Sequence, residues 1–429
     1  MNRPNEMKIL LSAFLLAFMG SPLLAPRTIA SLSGTVIRVP YDFPTIQEAV
    51  DAATAGSVIV VSGGTYSGNI NIAKSLWLVG EDRMTTFIEG GIVVTADNVL
   101  INGFTIRNGD RGIELEQVNN CTISGNTVTQ QRGTGIRALS SNNSFILSNT
   151  ITLCGSNSYG PGIALQVSFN NVVNGNIIAG NRDGLDIDAA LEGDTSMYNL
   201  ICNNVIAGTV KWGIYLYHSI DNVIHHNSFI NNSQNLELVG PNGNTWDDGS
   251  EGNYWDSYVG LDDGNGGRIA CDGVGDTNLP SFSVDSRPLI SPCGPVPVVV
   301  DNATYLFGLS SNSTVSYPRF SQADKKITFN VSGPAGTTGH CTIQVPNSLL
   351  RSEPWTVLLN STDVTSQATI TTNQTHATIS LNYNHSNTKV RIVGTWVVPE
   401  FPSTAFMVAL IFAVLPMVLL RRFRKNVVR

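Results

Sequence analysis

A short phrase recurs along this chain. Gly112-Ile-Glu-Leu115, Gly135-Ile-Arg-Ala138, Gly162-Ile-Ala-Leu165, Gly184-Leu-Asp-Ile187 and Gly213-Ile-Tyr-Leu216 are one pattern, and Asn235-Leu-Glu-Leu238 is a sixth, looser copy. Subtracting their first positions gives steps of 23, 27, 22, 29 and 22 residues. A second phrase runs between the copies, an Asn followed by β-rich residues: Asn126-Thr-Val128, Asn149-Thr-Ile151, Asn176-Ile-Ile178, Asn204-Val-Ile206 and Asn227-Ser-Phe229. An irregular period in the low twenties, with β-branched residues and Asn/Gly turns, marks a solenoid. One repeat is too short to bury a core. Stacked as rungs, the repeats share one, which predicts an all-β, right-handed parallel β-helix.

The pattern also predicts register. Side chains along a strand alternate between its faces, so Ile113, Ile136, Ile163, Leu185 and Ile214 stack inward and the intervening residues point out. A slip of one residue would expose each Ile and bury Glu114, Arg137 and Asp186, so the alternation specifies the register strongly. Longer steps place their extra residues in turns. The Asn that opens each second phrase is expected at a turn, where its side chain bonds locally and left-handed backbone is tolerated.

The ends point to export. Lys8 precedes the apolar run Ile9 to Phe18, and small residues follow near Ala25 and Ala30, which reads as a signal peptide within residues 1–30. Thr404 to Leu420 is nearly all apolar and is followed by Arg421-Arg-Phe-Arg-Lys425, the pattern of a spanning helix with a basic cytoplasmic stop. Removing the tail's five positive charges and the leader's net +2 takes the formal charge from −7 to −14. A body that acidic disfavours nucleic acid as a partner. Pro399-Glu-Phe-Pro402 resembles the Pro-Glu-Phe sorting signals of archaeal surface proteins, which implies an archaeosortase-type transpeptidase as a partner; a plain membrane anchor explains the same residues.

Nine Asn-x-Ser/Thr sequons occur, six of them at Asn302, Asn312, Asn330, Asn360, Asn373 and Asn384, and an exported chain exposes these to glycosylation. Six cysteines fit an oxidising compartment. Cys271 and Cys293 flank one loop and are the expected disulfide; Cys121, Cys154, Cys202 and Cys341 cannot be paired from sequence.

Along the chain, Thr45 with Glu48 forms a capping box ahead of Ile46, Ala49, Val50 and Ala53, an amphipathic helix suited to plug the first rung. Rungs run to about Asn244, and a Gly/Asp-rich segment to Pro292 closes the solenoid over 36–292. Residues 293–301 read as a Pro-rich linker. Alternation in Lys326-Ile-Thr-Phe-Asn-Val331 and Ala377-Thr-Ile-Ser-Leu381 predicts a small β-sandwich over 302–395, and 399–429 holds the Pro-Glu-Phe motif, the transmembrane helix and the basic tail.

The opening Tyr41-Asp-Phe-Pro-Thr-Ile-Gln-Glu-Ala-Val50, the Gly64-Thr-Tyr66, the Asn/Gly-Ile rungs and the closing Gly252-Asn-Tyr-Trp-Asp-Ser-Tyr258 with Asp272-Gly-Val-Gly-Asp276 resemble the NosD-type "periplasmic copper-binding" β-helix family. That family belongs to the wider group of carbohydrate-binding and sugar-hydrolase-like β-helices. The resemblance covers residues 36–292. It implies the fold, and it implies copper or carbohydrate as ligands to be tested, since one fold hosts many sites.

Four constellations are candidates. The outward column of the repeated strands reads Glu114, Arg137, Ala164, Asp186, Tyr215, Glu237. Two residues on, a parallel column reads Glu116, Leu139, Gln166, Asp188, Tyr217. Carboxylates beside exposed rings suit sugar hydroxyls and sugar faces; a merely solvated sheet face would also be polar. Asp183, Asp186 and Asp188, with Arg182 beside them, could instead supply the two carboxylates of a glycosidase or the acidic cluster and Arg base of a lyase. Cys202, predicted to stack on His225, could with His225 and His226 hold copper. Asp262, Asp263, Asn265, Asp272 and Asp276 could ligate calcium in a Gly-rich loop. Taken together, these features predict a surface-anchored β-helix protein that binds carbohydrate or serves a structural role.

Overall fold

A computed structural model describes residues 34–156, 160–189, 194–241, 243–279 and 281–398. The signal peptide, the Pro-Glu-Phe motif and the anchor helix lie outside the described residues; among those described, no helix is long and apolar enough to cross a membrane.

Residues 36–255 form a right-handed parallel β-solenoid of about 9 turns. Each full rung lays one strand on each of three sheets. Sheet I carries Leu100–Asn102, Thr122–Ser124 and their successors to Val223–His225. Sheet II carries the Asn-led phrases, such as Thr127–Thr129 and Val205–Ala207. Sheet III carries the Gly-Ile phrases, from Ile70–Ile72 to Gln234–Val239. The predicted register holds: Ile113 pairs with Ile136, Ile136 with Ile163, Ile163 with Leu185 and Leu185 with Ile214. These five side chains are fully buried, as are Ile123, Ile146, Val173, Ile201 and Ile224 of sheet I. Burying each such side chain contributes about 1.5–3 kcal/mol.

The repeated Asn does something other than expected. Asn126, Asn149, Asn176, Asn204, Asn227 and Asn253 are buried at the corner between sheets I and II. Each Oδ1 accepts from the backbone N–H one rung earlier, at 2.9 to 3.1 Å. Each Nδ2 donates to a carbonyl of the previous rung, for example Asn176 to Ile146 and Asn204 to Val173. The left-handed backbone falls one residue before, on Gly125, Ser148, Gly175, Asn203 and His226. The ladder thus serves buried corner amides that strand pairing leaves unmade, which uncompensated would be costly. A second ladder, Asn171, Asn199, Asn222 and Asn244, repeats the device between sheets III and I.

Both ends are closed. Helix Ile46–Ala52 covers the first rung with Ile46, Ala49 and Val50, and Thr45 Oγ1 accepts from Glu48 N–H as the capping motif predicts. At the far end Trp255 stacks on Phe229 with ring centroids 4.3 Å apart, and its indole N–H donates to Asp285, which also accepts from Asn253 and so terminates the ladder.

The stretch read as a Pro-rich linker contains strand Val296–Val300, which belongs to a five-stranded antiparallel sheet. This sheet and a second five-stranded sheet span 296–393. The strand packs on sheet II: a Cβ placed on Gly180 would come within 3.0 Å of Val299. Val205, Ala207, Ile230 and Tyr254 of the solenoid share one core with Val296 and Phe307. Arg319 pairs with Asp256 at 2.8 Å, and Thr314 Oγ1 donates to Gly260 O. The alternating apolar Val296, Val298 and Val300 therefore act as a docking strand, and the two parts are held together by a common core.

The expected Cys271–Cys293 bond is absent; all six cysteines are free. Cys293 is drawn into the shared core, its N–H donating to Ser228 Oγ and its thiol pushed up to about 12 by burial. Cys271 sits exposed on a loop clamped by Asp262. A thiol-reactive maleimide is therefore expected to label one cysteine rapidly in the native protein, Cys271, and a reductant should leave the melting temperature unchanged. An intact mass two hydrogens short, restored by reductant, would contradict this assignment.

Candidate functional site

The outward columns of sheet III lie in the predicted register: Glu114 beside Arg137, Ala164 beside Asp186, Asp186 beside Tyr215, and Tyr215 beside Glu237. Gln166 pairs with Asp188 and Asp188 with Tyr217. Glu116, opposite Leu139, is half-buried. The face is not the solvated one that pleating alone predicts. Glu114 is 4% exposed and Asp186 is 1% exposed. Part of what surrounds them comes from the corners between strands, Arg111 beside Glu114 and Arg182 near Asp186, whose side chains the strand alternation does not describe.

Two zones result. Toward the N-terminal rungs, Glu114 accepts from Arg111 Nη1 at 2.9 Å and from Arg137 Nη1 at 2.6 Å. Arg137 Nε donates to Gln166 Oε1, and Gln166 Nε2 donates to Asp188 Oδ2 at 3.0 Å. Charge-assisted bonds of this kind fix side-chain geometry. They form the floor of a cleft of ≈ 560 Å³ that Asp110, Arg111, Thr134 and Arg137 help to line. Toward the C-terminal rungs, Trp212 stacks on Tyr215 at 4.5 Å and 10°, and Tyr215 on Tyr217 at 6.3 Å and 15°. Lys211 Nζ lies 3.2 Å from the centroid of the Trp212 ring.

The three aspartates lie between these zones. Asp183, fully buried, accepts from Arg182 Nη1 and from Trp212 N–H. Asp186 Oδ1 has no hydrogen-bond partner. Burial holds its carboxyl well above the usual carboxylate range, and the charges of Asp183 and Asp188 push the same way. Burial, then Asp186 and Asp188, raise the Tyr215 phenol. Sequence reasoning missed Lys211 and Trp212. Strand parity puts Trp212 opposite Tyr215, but the strand Trp212–Tyr217 starts there at a corner. The signal was in the spacing: Arg182 and Lys211 are 29 residues apart, the same step as Gly184 to Gly213, and Lys211 N–H donates to Arg182 O.

The metal candidates divide. Cys202 is indeed opposite His225, but it is fully buried, and burial pushes its thiol up to about 11. His225 and His226 instead converge with Asp248: ligand atoms of all three lie within 4.8 Å of one another. Burial and then His226 hold the His225 imidazole below its usual range. In the closing loop the acidic groups face backbone amides. Asp262 accepts from Cys271 and Gly273, Asp276 from Asp263 and Gly264, Asp272 from Val274, Asp263 from Asn265, and Asn265 from Gly266. Asp263 to Asn265 and Asp272 to Val274 are Asx-type turns, while Asp262 and Asp276 tie the loop together across 9 to 13 residues. Of the six C-terminal sequons, Asn302, Asn312, Asn360, Asn373 and Asn384 are exposed and Asn330 is half-buried.

Residues 50–260 match the family model described as "Periplasmic copper-binding protein (NosD)". A "Cell surface glycoprotein" of Methanothermus fervidus is 39% identical over 92 residues, 20% of this chain and 16% of the relative. A "Probable ABC transporter binding protein NosD" of Pseudomonas aeruginosa is 32% identical over 134 residues, 29% of this chain and 30% of the relative. The chain thus spans less than a third of either relative. Among solved structures, an alginate lyase from Paenibacillus is similar over 53% of this chain and 89% of that one, with 18% identity and a TM-score of 0.43.

Proposed function

With a β-helix that belongs to the NosD-type family as the premise, we propose that this chain is an exported polysaccharide-binding protein of the cell surface, with sheet III as its binding face. One observation carries the reading: a stacked aromatic platform, Trp212, Tyr215 and Tyr217, continues along the same face into a cleft floored by Glu114, Arg137 and Gln166. Four rung steps of ~4.8 Å separate Glu114 from Tyr215, so the face is ~19 Å long. That is the scale of an oligosaccharide rather than one sugar. Rings stack on apolar sugar faces, and the Arg and carboxylate groups bond hydroxyls. The leader, the sequons and the relative named as a cell surface glycoprotein support presentation outside the cell, with the Pro-Glu-Phe segment as anchor or sorting signal. The sandwich, sharing a core with the solenoid, would hold the binding face at a fixed angle to that anchor. A glycan array probed with residues 34–398, with and without Ca²⁺, tests the reading. Binding that an Asp186→Ala/Tyr215→Ala double variant loses supports it; absence of binding in both conditions overturns it.

A second reading, polysaccharide cleavage, has its own observation. Asp186 and Asp188 stand two residues apart on one face, their Cα atoms ~6.6 Å apart along the strand, and together can supply the two carboxylates that a glycosidase needs. Asp186, whose burial favours the protonated form, would be the acid. Release of reducing ends from a bound polysaccharide, abolished in Asp186→Asn, is its test.

The environment of Asp186 also predicts a pH dependence. A carboxyl whose folded pKa is raised contributes stability below its unfolded value, near 3.8, and that contribution is lost as pH rises through the folded value. Asp186→Asn removes the titration. Its melting temperature relative to the parent is therefore expected to rise from pH 4 to pH 8; the same difference at both pH values would contradict the assignment.

A further inference from the structure

We propose that the outer face of sheet I, over its last four rungs, is the interface of a reversible homodimer in which two copies of this chain pack sheet against sheet. The surface lies on another sheet of the solenoid than the binding face and does not rest on that reading.

Strand alternation turns Ile146, Val173, Ile201 and Ile224 inward, where all four are fully buried. Their neighbours Phe145, Val172, Leu200 and Val223 face out, stacked in register. A second outward row, Phe169, Met197 and Ile220, is stacked beside them by bridges between successive rungs. All seven are half-buried. The row on the other side is Leu147, Asn174, Cys202 and His225. No Asp, Glu, Lys or Arg stands on these three rows.

A sheet face open to water carries polar residues at its outward positions. Sheet II follows that rule at Thr127, Thr129, Thr150 and Thr152. It departs from the rule at Ile177, Ala179, Val205 and Ala207, and there the sandwich strand Val296–Val300 packs on the sheet. Apolar outward residues on sheet II thus mark a covered face. Sheet I makes the same switch, from Thr122 and Ser124 to Phe145, Val172, Leu200 and Val223. Among the described residues, Val172, Leu200 and Val223 join neither hydrophobic core.

A second copy is the occupant that suits this surface. An uncharged face set against itself brings no like charges together, and a two-fold axis lets one patch serve both partners. With the axis along the strands, between the rungs of Val172 and Leu200, Val172 meets the partner's Leu200 and Phe169 meets the partner's Met197. Sheets packed in this way lie ~10 Å apart. Four rungs at ~4.8 Å and six residues at ~3.3 Å give a patch of ~19 by ~20 Å, or ~400 Å² per copy and ~800 Å² for the pair. Stable specific interfaces bury ~1,200 Å² or more. The area therefore sets a weak, concentration-dependent dimer and not an obligate one.

Sedimentation velocity of residues 34–398, the closed solenoid with its docked sandwich, is run over ~1–100 µM, the range in which a small interface dissociates. A monomer at the dilute end and a growing dimer fraction at the concentrated end are expected. Leu200→Lys should raise the dissociation constant at least ~10-fold, because each dimer would bury two unpaired ammonium groups. Val223→Lys should do the same, and Thr127→Lys, which places the same charge on sheet II, should leave it unchanged. Melting of each variant checks that it is folded. A parent that stays monomeric throughout, or a dimer that folded Leu200→Lys and Val223→Lys leave intact, overturns the proposal. A monomeric parent whose glycan binding falls in Leu200→Lys would assign the face to polysaccharide and overturn it as well.

Discussion

Asn176→Leu is expected to cost about 3–6 kcal/mol of stability, since it leaves several buried polar groups without partners at ~1–3 kcal/mol each. Asn176 Oδ1 accepts from both the N–H and the Nδ2 of Asn149, and its Nδ2 donates to Ile146 O and to Asn204 Oδ1. Leu nearly matches its volume, so lost hydrogen bonding, not a cavity, sets the cost. Asn203→Gly, at the left-handed position one residue before the next ladder Asn, is the control and should change stability by no more than about 0.5–1 kcal/mol. Denaturant unfolding of both variants, compared at their midpoints, gives the two values. A loss below ~1 kcal/mol for Asn176→Leu would mean that water or a backbone shift replaces the ladder.

Trp212→Ala is expected to weaken binding of a recognised polysaccharide by ~10–100-fold, the effect of losing about 1.5–3 kcal/mol of buried aromatic surface. The indole stacks on Tyr215 on one side of the site and carries Lys211 against its ring. Its removal also frees Tyr215 to move. Trp212→Phe, which keeps a stacking ring, should recover most of the affinity. Titration of each variant by affinity electrophoresis reads the change. An equal loss in Trp212→Phe and Trp212→Ala would point to the indole N–H or to local collapse instead of stacking.

Much of this architecture is legible in the sequence because two periods coincide. The repeat places equivalent residues one above the other, and strand alternation assigns their faces; both columns of sheet III follow from Ile113, Ile136 and Ile163 facing inward. Local rules failed where long-range pairing decided. Turn chemistry explains an Asn as well as a buried ladder does, so Asn149 and Asn204 looked like turn residues while Ser148 and Asn203 took the strained backbone. Alternation likewise describes strands and not corners, so the burial of Glu114 and Asp186 was missed. Asp248 was discoverable: it follows His226 by 22 residues, one rung of the repeat. The strand Val296–Val300 was masked by Pro295 and Pro297, which read as linker.

The central claim is that sheet III is a polysaccharide-binding face, and mass-spectrometric hydroxyl-radical footprinting with a panel of surface polysaccharides tests it most directly. Protection concentrated on Trp212, Tyr215 and Tyr217 in the presence of one class of polysaccharide is the predicted result. Labelling of these three residues that no polysaccharide changes, or protection confined to another face, would contradict it.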